Sequence, residues 1–89
     1  MSREWRLALE AQPMAELLQA SGLDLRRLFV RLDHLRAHPF GEPDAYGKAS
    51  DGRDYYVRRT ADHSIAFIID FPVREIRVIE ILKIHRTRC

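Results

Sequence analysis

Beyond residue 10 the apolar residues of this chain change their spacing once, and that change dictates a mixed fold. Between Pro13 and Leu35 they recur at helical intervals, and from Tyr55 onward they recur at every second position. A helical stretch followed by a run of strands cannot be a bundle or a sandwich. It implies an α+β domain with helices packed on one face of a sheet. At 89 residues the chain is one domain, residues 1–89, with a single modest core.

Each segment carries its own signals. In "WRLALE", Trp5, Leu7 and Leu9 alternate with Arg6, Ala8 and Glu10, the period of a half-buried strand. In "PMAELLQASG", Pro13 suits a first helical turn, Met14, Leu17 and Leu18 share a face, and Gly22 is a natural stop. A second helix is expected at once, capped by Asp24, with Leu23 and Leu28 placed for a hydrophobic staple. Its core face is Leu25, Leu28, Phe29, Leu32 and Leu35; Arg27, Arg31, Asp33 and His34 look outward, and Pro39 ends it. The stretch "PFGEPDAYGKASDGR", residues 39–53, holds two prolines, three glycines and no period, so it is expected to be a long loop. "DYYVRRT", "SIAFIID" and "REIRVIEILKIHR" then read as an antiparallel meander. The expected order is β-α-α-β-β-β, with Ile65, Phe67, Ile69, Ile79 and Ile81 buried beneath the helical hairpin.

Charge and composition narrow the possible functions. Thirteen of the fifteen cations are arginines, whose planar forks suit phosphate and carboxylate; a GC-rich genome produces the same bias. The last nine residues, "ILKIHRTRC", carry Lys83, His85, Arg86 and Arg88 and no acid, a patch that attracts a polyanion or acidic segment. The longest apolar run is too short to cross a membrane, and the charged "MSREWRLALE" is unlike a signal peptide. One cysteine, Cys89, excludes an internal disulfide and fits a reducing cytoplasm.

The first meander strand raises a specific question, because it places Arg58 and Arg59 in mid-sheet. Alternation puts Tyr55, Val57 and Arg59 on one face and Tyr56, Arg58 and Thr60 on the other. If the face away from the helices carries Tyr56 and Arg58, the pair forms an exposed platform, guanidinium for phosphate and ring for base stacking. Other constellations carry less. His34 and His38 have helical spacing for a metal but no third ligand of matching spacing, so no metal or other cofactor is expected. "ADH" at residues 61–63 is first of all a turn, and Glu80, interrupting an apolar strand, calls for a partner arginine or serves as a general base.

The succession of strand, helical hairpin, loop, Tyr55-Tyr56-Val57-Arg58, "SIAFIID" and a last apolar strand running into His85-Arg86 resembles the RelE/ParE superfamily of toxins from type II toxin–antitoxin (plasmid stabilisation) modules. The resemblance spans Trp5 to Arg86. It implies a bacterial, cytoplasmic toxin, monomer or homodimer, held inactive by a cognate antitoxin. In the RelE branch the activity is endoribonuclease cleavage of messenger RNA on the ribosome, by metal-independent attack of the RNA's own 2′-hydroxyl. In the ParE branch the protein binds and inhibits DNA gyrase; a non-catalytic interaction protein is the third possibility. Carried over by motif, Arg58 and Arg86 neutralise the phosphate and His85 moves protons as general acid or base. Tyr56 stacks on a base, Lys83 adds charge, and His63 stands in for an arginine the family carries at the start of the middle strand. The family's tyrosine later in that strand is here Phe67, and its tyrosine beyond the basic pair has no counterpart before Cys89, so catalysis and binding both remain open.

Overall fold

β5 (Glu75–Lys83) joins the two ends of the chain: β1 (Arg6–Leu9) lies parallel along one side of it and β4 (His63–Asp70) antiparallel along the other. β3 (Asp54–Arg59) and β2 (Ala45–Lys48) complete a five-stranded sheet of order β1-β5-β4-β3-β2. This computed structural model describes residues 5–84. The helical hairpin, α1 (Ala11–Gln19) and α2 (Gly22–Ala37), follows β1 directly and covers one face of the sheet. The fold is the expected α+β arrangement, with one strand more than the pattern indicated and a mixed rather than purely antiparallel sheet.

The core lies between α2 and the strands β4 and β5. Leu28, Leu32 and Leu35, spaced at four and three residues, meet Ile65 and Phe67 of β4 and Ile76, Val78 and Ile81 of β5, all at 3% exposure or less. Each such side chain contributes about 1.5–3 kcal/mol relative to remaining in water. Trp5, Leu7 and Leu9 pack around this centre, as their alternation required. Phe29 does not: it is 53% exposed, because only a narrow stripe of α2 touches the sheet. Leu23 is 60% exposed, so the proposed staple with Leu28 is absent. Asp24 is not the cap either. Ser21 holds that position, and Asp24 sits in the first turn, 3.1 Å from Lys83 Nζ.

β5 alternates on the core side through Ile76 and Val78, then takes an extra residue. Phe67 pairs with Val78 while Ala66 pairs with Glu80, so Ile79 is the bulged residue and Ile81 returns to the core. Ile79, expected beside Ile81, therefore lines the opposite face. Gln12 completes the edge of β5 where β1 has ended: its side-chain amide donates to the Ile81 carbonyl and accepts from the Ile81 N–H, both at 2.8 Å.

The expected loop of residues 39–53 contains β2. Its register with β3 sets Gly47 opposite Tyr55, and a Cβ on Gly47 would lie 2.7 Å from the Tyr55 hydroxyl. The ring lies across the glycine, which supplies the packing that "AYGK" lacks on its own. At the strand ends Lys48 Nζ meets Asp54 at 2.6 Å, and this hydrogen bond raises the lysine's pKa above its ordinary value. The β2–β3 turn closes on Asp51, which accepts from the backbone N–H and side chain of Arg53, with Gly52 at φ 90°.

Candidate functional site

Arg58 and Tyr56 share one face of β3, as alternation required, but it is the helix-covered face. Tyr56 pairs with Phe67 and Arg58 with Ile65, and both partners belong to the core. The expectation of an open Arg–Tyr platform is thus corrected, for a simple reason. Alternation decides which residues go together, whereas the position of α2 decides which set it covers. Tyr56 rests its ring 5.9 Å from that of Phe67 and is half-buried.

Arg58 reaches past the core to the end of α2. Its Nη2 donates to the His38 carbonyl at 3.0 Å, and its Cζ stands 5.8 Å from the centre of the Phe67 ring. A cation at a helix C-terminus meets carbonyls that no intrahelical donor uses, and a ring face adds attraction. Gly41 leaves room for the fork; a Cβ there would lie 2.8 Å from Nη2. Around the guanidinium, Arg31 and His34 of α2 and Arg59 and Thr60 of β3 and its turn line a hollow of about 190 Å³. Arg31 had read only as an outward residue. Its convergence on Arg58 needs α2 laid along the sheet, and no local signal reports that.

The remaining expected site residues are spread more widely. His63 is 1% exposed at the start of β4, beneath the β3–β4 turn. The Thr60 hydroxyl organises that turn, accepting from the N–H groups of Asp62 and His63. Lys83 faces His63 across the strands, with its ammonium engaged by Asp24. His85 and Arg86 lie outside the described residues. His38 is the C-cap residue of α2, and its ring stands 4.8 Å from that of His34. Among the described residues no three ligating side chains gather into a metal site.

The face away from the helices is a separate hollow of about 490 Å³, bordered by Glu10, Arg53, Tyr55, Ser64, Ile79 and Glu80. It carries both charge signs, and Glu80 has no cationic partner there among the described residues. Of this group only Glu80 was weighed for chemistry from the sequence. Arg53 and Glu10 reach the hollow from a turn and a helix cap, which lack the period that marks a strand face.

No protein-family model matches the chain, and no curated protein sequence does. Solved structures match it well. The RelBE2 toxin–antitoxin complex from Mycobacterium tuberculosis superposes with a TM-score of 0.73 over 92% of this chain and 100% of the other, at 10% identity. The chain has the RelE fold. The archaeal RelE–RelB complex from Pyrococcus horikoshii gives 0.69 at 17% identity, covering 96% and 100% of the two chains. The isolated Escherichia coli RelE toxin gives 0.66 at 14% identity, covering 93% and 87%. The RelE fold is thus shared as a backbone path, and at this identity its side chains speak for themselves.

Proposed function

We propose that this protein is the toxin of a type II toxin–antitoxin module and that it cleaves messenger RNA on the ribosome in the manner of RelE. The observation that carries this reading is the Arg58 hollow, set in a fold that follows RelE toxins across more than nine-tenths of the chain. Cleavage of this class uses the RNA 2′-hydroxyl as nucleophile. The protein has to hold the phosphate in line, neutralise charge that builds on its oxygens, and move two protons. Arg58, anchored at one nitrogen by His38, offers the rest of its fork as a preorganised donor. Arg86 adds a second charge and His85 the proton transfer. Arg31 and Arg59 raise the local potential without touching the reacting atoms.

A cognate antitoxin is part of the same proposal, since the M. tuberculosis and P. horikoshii neighbours are toxin–antitoxin complexes. The helical hairpin exposes Met14, Leu18, Leu23, Phe29 and Val30, which suits a partner segment that brings apolar side chains together with acids. A second reading, gyrase inhibition by binding alone, is favoured by one observation: Lys83 is tied to Asp24 and His63 is buried, which thins the catalytic set.

Induced expression followed by mapping of transcript ends tests the proposal. Ribosome-dependent cuts that vanish in Arg86→Ala and His85→Gln support the nuclease. Blocked supercoiling by purified gyrase with transcripts intact replaces it by the binder, and growth without arrest removes both.

A further inference from the structure

Arg31 and Thr60 border two hollows at once. One is the Arg58 hollow described above. The other, about 520 Å³, lies between the first half of α2 and the β3–β4 turn, lined by Arg26, Arg27 and Arg31 on the helix and by Thr60, Asp62 and His63 on the turn. The two hollows adjoin at these residues, and we refer to them together as a trough along one side of α2.

Two independent observations mark it for an anion. Among the described residues, two buried side-chain polar atoms have no hydrogen-bond partner, Arg58 Nε and His63 Nδ1. They belong to residues that line one hollow each, Arg58 the first and His63 the second. Buried polar atoms are normally paired, so an unpaired one marks where an added partner gains most. The trough also already holds a carboxylate: Asp62, 3.1 Å from Arg27 Nη1. Both side chains of that pair are substantially exposed, 52% and 35%, and such a pair holds its members weakly. Asp62 is the one acid lining the trough, against five arginines, Arg26, Arg27, Arg31, Arg58 and Arg59.

We propose that this trough is the path of an RNA backbone, its phosphates held by Arg26, Arg27 and Arg31 and, across the shared rim, by Arg58 and Arg59. Asp62 is a placeholder that an incoming phosphate displaces from Arg27. The proposal rests on the RNA reading above and extends it from the point of cleavage along α2. Arg27 and Arg31 are neighbours one helical turn apart, and paired guanidinium forks suit consecutive phosphates better than a single carboxylate. All the cations here are arginine, the residue best shaped for bidentate phosphate contact.

The test is fluorescence anisotropy of a short fluorescein-labelled uridine oligoribonucleotide on the full chain, repeated over a series of salt concentrations. Arg26→Gln and Arg31→Gln should each weaken binding and lower the slope of log affinity against log salt by about one. Asp62→Asn should tighten binding by up to about fivefold, a gain that misfolding cannot produce. Arg77→Gln, on the other face of the sheet, should leave the curve unchanged. Wild-type binding with affinity and slope unmoved by the three trough variants overturns the trough and leaves the nuclease reading standing. No RNA binding by the wild type also overturns the trough, while the nuclease reading, which requires the ribosome, is decided by the transcript mapping. Binding of a labelled oligoglutamate that responds to the same variants while RNA does not assigns the trough to an acidic protein segment and overturns the proposal.

Discussion

The guanidinium of Arg58 is hydrogen-bonded at 3.0 Å to the carbonyl oxygen of His38, tying the end of β3 to the C-cap of α2. The contact gives Arg58 a structural role. Arg58→Ala should lower stability by about 1–2 kcal/mol, the worth of a charge-assisted hydrogen bond at a partly exposed helix end. Urea unfolding measures it; a midpoint equal to wild type would show that the tie contributes nothing. Any loss of RNA cleavage in that variant has to be read beside its folded fraction.

Gln12 stands in for a strand. Its amide makes both hydrogen bonds to Ile81 that a neighbouring backbone would make. Gln12→Ala leaves a ladder N–H and C=O unpaired in a part-buried place, at a cost of about 1–3 kcal/mol. Gln12→Glu should cost nearly as much, because a carboxylate accepts from the N–H but cannot donate to the carbonyl. Equal stability of Gln12→Glu and wild type would refute this pairing.

The bulge in β5 separates two isoleucines that the sequence treats alike. Ile81 is 0% exposed, and Ile81→Ala should cost about 2–5 kcal/mol. Ile79 lines the open hollow, so Ile79→Ala should cost under about 1 kcal/mol. Thermal unfolding of the two variants decides whether the extra residue sits where the register places it.

Gly47 lies under the Tyr55 ring, with Cζ 2.9 Å from where a Cβ would stand. Gly47→Ala pushes the ring off the strand and should destabilise by about 1–3 kcal/mol despite alanine's stiffer backbone. Adding Tyr55→Ala removes the clash, so the double variant should cost less than the sum of the singles. Simple additivity would mean that the two do not meet.

Asp51 has a pKa below its ordinary 3.8, held there first by the Arg53 backbone N–H and then by the Arg53 side chain. A carboxyl depressed by folding stabilises fully above its unfolded value and loses that contribution as pH falls through its folded value. The β2–β3 turn should therefore loosen only below about pH 3.8. An NMR titration of the Asp51 carboxyl, with amide exchange at Arg53, follows both; Asp51→Asn should flatten the exchange profile.

How much of this was legible beforehand divides along a physical line. Both helices and three meander strands were visible because each advertises its own period: Leu28, Leu32 and Leu35 on α2, and Ile65 and Phe67 on β4. β2 was invisible because "AYGK" has no apolar alternation and is a strand only where β3 pairs with it and Tyr55 covers its glycine. Of the site, Arg58 was picked out by its odd place in a strand. Arg27 and Arg31 passed as an ordinary solvated helix face and Arg26 drew no reading at all, since the partners that give them meaning stand on another element.

The chain's own order of residues thus determined which segments coil, which extend, and that Tyr56 and Arg58 travel together, because those are matters of local period and propensity. Only the tertiary structure decided that this pair lies on the helix-covered face, that Ile79 turns away from Ile81, and that five arginines and one acid line two adjoining hollows. Those outcomes depend on which surfaces the packing of distant segments brings together, and on which side of the sheet the helices settle. No spacing along the chain encodes either.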